Sequence, residues 1–86
     1  MRLNESAVTW REVDSEIVAL NVHAGVYFTL NGSGRLLWLA LADSASVDEL
    51  ADLLVATYGV PEEQARIDAS AFVDDLVGRS LVEADA

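Results

Sequence analysis

Apolar and polar residues alternate with a period of two through the first third of the chain. Val8 and Trp10 share one face, with Thr9 and Arg11 on the other. From Glu16 to Val22 the pattern repeats, Val18, Leu20 and Val22 against Ile17, Ala19 and Asn21. In Val26–Leu30, Val26, Phe28 and Leu30 stand together and Tyr27 turns away from them. The spacing predicts three short strands between residues 8 and 30. Asp14-Ser15 is a tight link, and His23-Ala24-Gly25 reads as a three-residue hairpin loop with Gly where positive φ is needed. Strands joined this way form an antiparallel meander, which must bury one face on helices to be stable.

Beyond Leu30 the period lengthens. Asn31 or Ser33 is placed to cap a helix whose run Leu36-Leu37-Trp38-Leu39-Ala40-Leu41 is apolar nearly all round, so it should be central. Asp43-Ser44-Ala45 breaks it. Ser46-Val47-Asp48-Glu49 is a capping box, opening a second helix with Leu50, Leu53, Leu54 and Tyr58 at helical spacing and a stop at Gly59. Pro61, at the first helical position, and Glu62-Glu63 open a third helix, since both suit a helix N-terminus. Its apolar stripe is Ala65, Ala69, Phe72, Val73 and Leu76; Gly78 weakens its end, and Leu81-Val82 can lie back on the core. The order is βββααα, an α+β domain with strands within about 8–30 and helices within about 32–80.

Length confines this to one domain spanning residues 1–86. Twelve Leu, eleven Val and thirteen Ala suffice for a core, so disorder and a disulfide scaffold are excluded. The lack of cysteine removes thiolate metal sites and thiol catalysis and fits a reducing compartment. Neither a signal-peptide pattern nor a bilayer-length apolar run is present, so a cytoplasmic protein without membrane attachment is expected. Charge changes the picture most. Fifteen acids face five bases, all Arg, for a net charge of −10. Such a surface repels phosphate backbones and opposes nucleic acid as a partner.

The inventory for catalysis is poor. The one His, His23, falls in a predicted hairpin loop, and no Ser has a base suggested by its spacing. Asp48, Glu49 and Asp52 read as a solvated helix face rather than a metal site, and Asp74-Asp75 point in different directions. Asn31-Gly32-Ser33-Gly34-Arg35 follows a strand and opens a helix but lacks the phosphate-loop spacing and its Lys-Ser/Thr ending. The chain is therefore expected to be non-catalytic, with no metal and no cofactor. The remaining feature is an edge. The third strand carries no Lys or Pro to block pairing, so another chain can add to it by β-augmentation.

The ordered set Glu16-Ile-Val-Ala-Leu-Asn21, Gly25-Val-Tyr-Phe-Thr-Leu-Asn31 and Gly34-Arg-Leu-Leu-Trp38 resembles the PqqD-like family. Ser46-Val-Asp-Glu-Leu50, Tyr58-Gly59 and Phe72-Val-Asp-Asp-Leu76 match its later half, so nearly the whole chain is covered. The resemblance implies a RiPP recognition element: a small winged helix-turn-helix-like domain that binds the leader peptide of a ribosomally made precursor. It implies a leader added as a strand along Val26, Tyr27, Phe28, Thr29 and Leu30, in the groove beside the third helix. On that helix Asp68, Ala71, Phe72, Asp75 and Leu76 are the candidates, while Arg66, Ser70, Val73 and Val77 form the alternative flank. The stand-alone acidic form looks most like the leader-binding protein of lasso-peptide pathways, which reads a Tyr-x-x-Pro motif. Its expected partners are the precursor leader, a leader peptidase of the cysteine-protease class and a cyclase, with the protein itself a monomer. The alternative is PqqD proper, a peptide chaperone serving a radical-SAM enzyme; Thr9-Trp10-Arg11-Glu12 departs from the Leu-Pro-Glu-like stretch expected there.

Overall fold

Asp14 and Ser15 both take positive φ, 48° and 66°, the backbone twist that a two-residue hairpin connection requires. In the computed structural model, which describes residues 1–83, this turn joins β2 (Val8–Val13) to β3 (Glu16–Asn21). A second turn over residues 22–25 leads to β4 (Val26–Leu30). It is one residue longer than expected: Gly25 N–H donates to the Asn21 carbonyl at 2.8 Å, which takes Val22 out of the strand. The sheet order is β2-β3-β4, antiparallel throughout, with Trp10 opposite Ala19 and Ala19 opposite Phe28.

Three helices follow: α1 (Gly32–Ala42), α2 (Val47–Tyr58) and α3 (Glu62–Gly78). The α2 capping box forms in full. Glu49 N–H donates to Ser46 Oγ, and Ser46 N–H donates to Glu49 Oε1, each at 3.1 Å. Gly59 closes this helix at φ 68°, a left-handed conformation that favours glycine. At α1 the N-cap is Asn31, one of the two residues placed for it, although its side chain makes no capping hydrogen bond; Ser33 lies inside the helix. Pro61 sits at the N-cap of α3 rather than its first position, and the helix runs through Gly78.

Two further strands were not anticipated. β1 (Arg2–Leu3) and β5 (Val82–Glu83) pair antiparallel, Leu3 opposite Val82, each too short to show a period. They fasten both ends of the described chain to the helical layer, with Leu81 fully buried beside them.

The core lies between the sheet and the helices. Trp38 of α1 is fully buried and meets Trp10 and Phe28 edge-on, at centroid distances of 6.1 and 5.7 Å. Such pairs add about 0.5–1.5 kcal/mol beyond area burial. The Trp38 indole N–H has no hydrogen-bond partner among the described residues, a cost of about 1–3 kcal/mol that this packing must offset. Ile17 and Ala19 face the helices and are fully buried, so Val18 and Leu20 take the opposite face of the sheet. No polar or charged residue described is buried.

Candidate functional site

Backbone groups along a strand point alternately to either side, so one hydrogen bond sets the phase of the sheet. Val22 N–H donates to the Ala7 carbonyl, toward β2. Asn21, Ala19 and Ile17 therefore point toward β4, where they oppose Val26, Phe28 and Leu30. This leaves Tyr27 and Thr29 with their N–H and C=O groups on the outer edge of β4, which no other strand covers among the described residues. Their side chains lie on the sheet face away from α1, where Tyr27 is 71% exposed.

α3 runs beside that edge. A cavity of about 220 Å³ separates them, lined by Phe28, Thr29 and Leu30 from the strand and Phe72, Asp75, Leu76 and Arg79 from the helix. The structure thus turns the Phe72–Asp75–Leu76 flank toward β4, and Val73 of the alternative flank is buried in the core. Asp75 is ion-paired with Arg79 at 3.3 Å on a partly solvated rim. Arg79 was not singled out from sequence, although its place four residues after Asp75 puts it on the same stripe.

Phe72 also borders a larger cavity of about 480 Å³ between the helices. Leu37, Leu54, Tyr58 and Val60 supply its apolar walls, and Gly32, Ser33, Gly34 and Asp68 complete it. Gly34 matters here because an added Cβ would stand 3.3 Å from Leu30 Cδ2, crowding the junction of strand and helix. Asp68 Oδ1 accepts a hydrogen bond from Gln64 Nε2 at 2.8 Å. The predicted set is therefore divided. Phe28, Thr29, Leu30, Phe72, Asp75 and Leu76 share the strand–helix cavity, Asp68 belongs to the larger one, and Ala71 lines neither. Val26 and Tyr27 extend the same strand, Val26 half exposed at its start. The larger cavity was missed because three helices contribute to it, and no local spacing in sequence joins them.

Chemically, the arrangement offers hydrogen-bonding backbone, apolar pockets and one ion-paired rim. His23 is exposed in the hairpin turn, away from both cavities. Among the described residues no three His, Asp or Glu side chains gather as a metal site, and no helix is long and apolar enough to cross a membrane.

Residues 16–82 match the family model described as coenzyme PQQ synthesis protein D, PqqD. The chain belongs to the PqqD family. No curated protein sequence matches it. Two solved structures resemble this PqqD-family chain over nearly their full length. "TbiB1 in Complex with the TbiA(beta) Leader Peptide" is 29% identical, covers 100% of this chain and 99% of its own, and superposes with a TM-score of 0.87. "Lasso peptide synthetase B1 complexed with the leader peptide" is 26% identical over 96% of each chain, with a TM-score of 0.82. The family match begins at β3, so β1 and β2 lie outside it but inside the first structural match.

Proposed function

We propose that this protein is a non-catalytic leader-peptide recognition element of lasso-peptide biosynthesis. The leader of a ribosomally made precursor adds as a strand to β4, beside α3, and the bound precursor is handed in the cytoplasm to a leader peptidase of the cysteine-protease class and then to a cyclase. The observation that carries this reading is the β4 edge, uncovered among the described residues, beside a cavity that Phe28 and Leu30 share with Phe72 and Leu76 of α3, in a chain similar to two solved leader-peptide complexes. Val26, Tyr27, Phe28, Thr29 and Leu30 supply the strand side and Phe72, Asp75 and Leu76 the helix side, with Asp68 in the adjoining cavity between the helices and Ala71 in neither.

Energetics add a requirement. A leader segment loses about 1–2 kcal/mol of backbone freedom for each residue it orders. Main-chain pairing contributes only about 0.5–1.5 kcal/mol net per hydrogen bond, so apolar anchors must supply the remainder. The cavity between the helices, lined by Gly34 and Phe72 among others, has the volume for an aromatic or proline side chain.

Titration of a fluorescent synthetic leader from the neighbouring precursor gene, at low and high salt, tests the reading. Saturable binding at micromolar concentration or tighter with weak salt dependence is expected, because the groove holds a single ion pair among the described residues. Absence of binding, or binding abolished by salt, overturns it. The family match supports a second reading, a PqqD-type chaperone for a radical-SAM enzyme. Leader-dependent association with a radical-SAM enzyme, and none with a leader peptidase, would select it.

A further inference from the structure

α1 is apolar nearly all round, a pattern that calls for cover on every side. The fold supplies only part of that cover. Leu37, Trp38 and Leu41 are buried, whereas Leu36, Leu39 and Ala40 are partly covered and floor a groove of about 640 Å³ between α1 and α2. Leu53 of α2 walls its other side. On each helix the lining residues recur at i, i+3, i+4 and i+7, from Leu36 on α1 and from Glu49 on α2. Two such stripes side by side make a trough about two turns long, which suits a third helix laid into it. The rim is acidic. Asp43, Glu49 and Asp52 edge the groove, and none has an ion-pair partner among the described residues. Glu49 is used by the capping box, and Asp48, outside the groove, pairs with Arg66. Asp43 and Asp52 have no such local role. Asp43 is worse than neutral, because a carboxylate at the C-cap of α1 stands beside the negative end of the helix dipole.

We infer that this groove docks the cyclase through a basic amphipathic helix. Its apolar ridge lies on Leu36, Leu39 and Leu53, and its Lys or Arg side chains meet Asp43 and Asp52. The inference rests on the function proposed above. Charge opposes a second copy of the chain as the occupant, since each copy carries −10 and would bring the same carboxylates to the same rim. The position of the groove selects the cyclase. It shares no lining residue with either cavity of the leader site; Leu37 borders the cavity on one side of α1, and Leu36 the groove on the other. Once the leader has been cut away, strand pairing to β4 no longer holds the rest of the precursor to this protein. The enzyme that acts next must then already be docked, on a surface that does not depend on the leader.

The chain contains no cysteine, so a single introduced thiol carries a dye at one place. Ala56→Cys puts an environment-sensitive dye in the groove, and Thr9→Cys puts one on the sheet face away from α1. The probes are the purified cyclase and leader peptidase encoded beside this protein, and the synthetic leader; affinities are read by calorimetry on unlabelled chains. Cyclase should shift emission at position 56 and not at position 9, with an affinity that saturating leader changes by no more than about twofold. Its binding should weaken with salt, because exposed charges carry part of it. Asp43→Lys with Asp52→Lys should weaken cyclase binding by about tenfold or more, while leader affinity stays within about twofold. The melting temperature of this variant should hold or rise, since lysine suits the C-terminus of α1 better than aspartate. Glu16→Lys with Asp74→Lys makes the same change of net charge outside the groove and should leave cyclase binding unchanged. No cyclase binding, a response at position 9 instead, a requirement for leader, an equal loss in the Glu16 and Asp74 variant, or peptidase rather than cyclase in the groove would each overturn the inference. Failure of the unsubstituted protein to bind leader would instead overturn the function on which it rests.

Discussion

The two faces of the sheet are built from the same alternating pattern and have opposite fates. On the inner face Ile17 and Ala19 are fully buried, and Trp10 and Phe28 close edge-on against Trp38. On the outer face Val18 and Leu20 are only partly covered, Tyr27 projects into solvent, and Arg11 stands without a counter-ion among the described residues. Apolar character alone therefore does not identify a core in this chain. Coverage by α1 does, because it removes one face from water and leaves the other available for recognition.

The largest effect that separates the faces should come from Trp38→Ala. Removing a fully buried indole leaves a cavity at the centre of the core and should cost about 3–5 kcal/mol. Leu20→Ala, on the outer face, should cost about 1 kcal/mol or less. Chemical denaturation of both variants checks this, and equal losses would erase the distinction drawn between the faces.

Thr29→Pro probes the edge between them. Its N–H points away from β3, so proline removes no hydrogen bond of the ladder, and edge strands tolerate it. Leader affinity should fall by about tenfold or more, the loss of one pairing donor plus the clash of the ring with an added strand. The melting temperature should move little. A large drop in melting temperature with leader affinity preserved would mean that Thr29 pairs inward and that the phase assigned to β4 is reversed.

The smallest change leaves both faces as they are. Asp14→Asn with Ser15→Gly supplies the residues that suit a turn with both φ values positive, and should stabilise the hairpin by about 0.5–1 kcal/mol. Leader binding should be unaffected. A loss of stability would show that Asp14 or Ser15 contributes something beyond the turn.

Much of this architecture was legible before any coordinates, and for local reasons. The capping box at Ser46, the glycine stop at Gly59 and the alternation through Val26–Leu30 each follow from contacts within a few residues of chain. The edge strand was legible too, because the third strand of a meander has an outer edge and no residue here blocks it. The β1–β5 pairing was not. Its residues are about eighty positions apart and two per strand, and no periodicity exists in so short a segment. The flank of α3 that meets β4 was open for a related reason: apolar residues occur on both sides of its stripe, and only the placement of α3 against α2 and the sheet turns Val73 inward and Phe72 toward the groove.

What the sequence determined by itself was the order of elements, the acidic surface and the availability of a strand edge, since all three depend on residue type and near-neighbour spacing. The tertiary structure alone decided which sheet face became core, which side of α3 joined β4, and where three helices leave a cavity beside Phe72. Those are choices among alternatives of nearly equal local energy, and they are settled by which apolar surfaces can be covered at the same time.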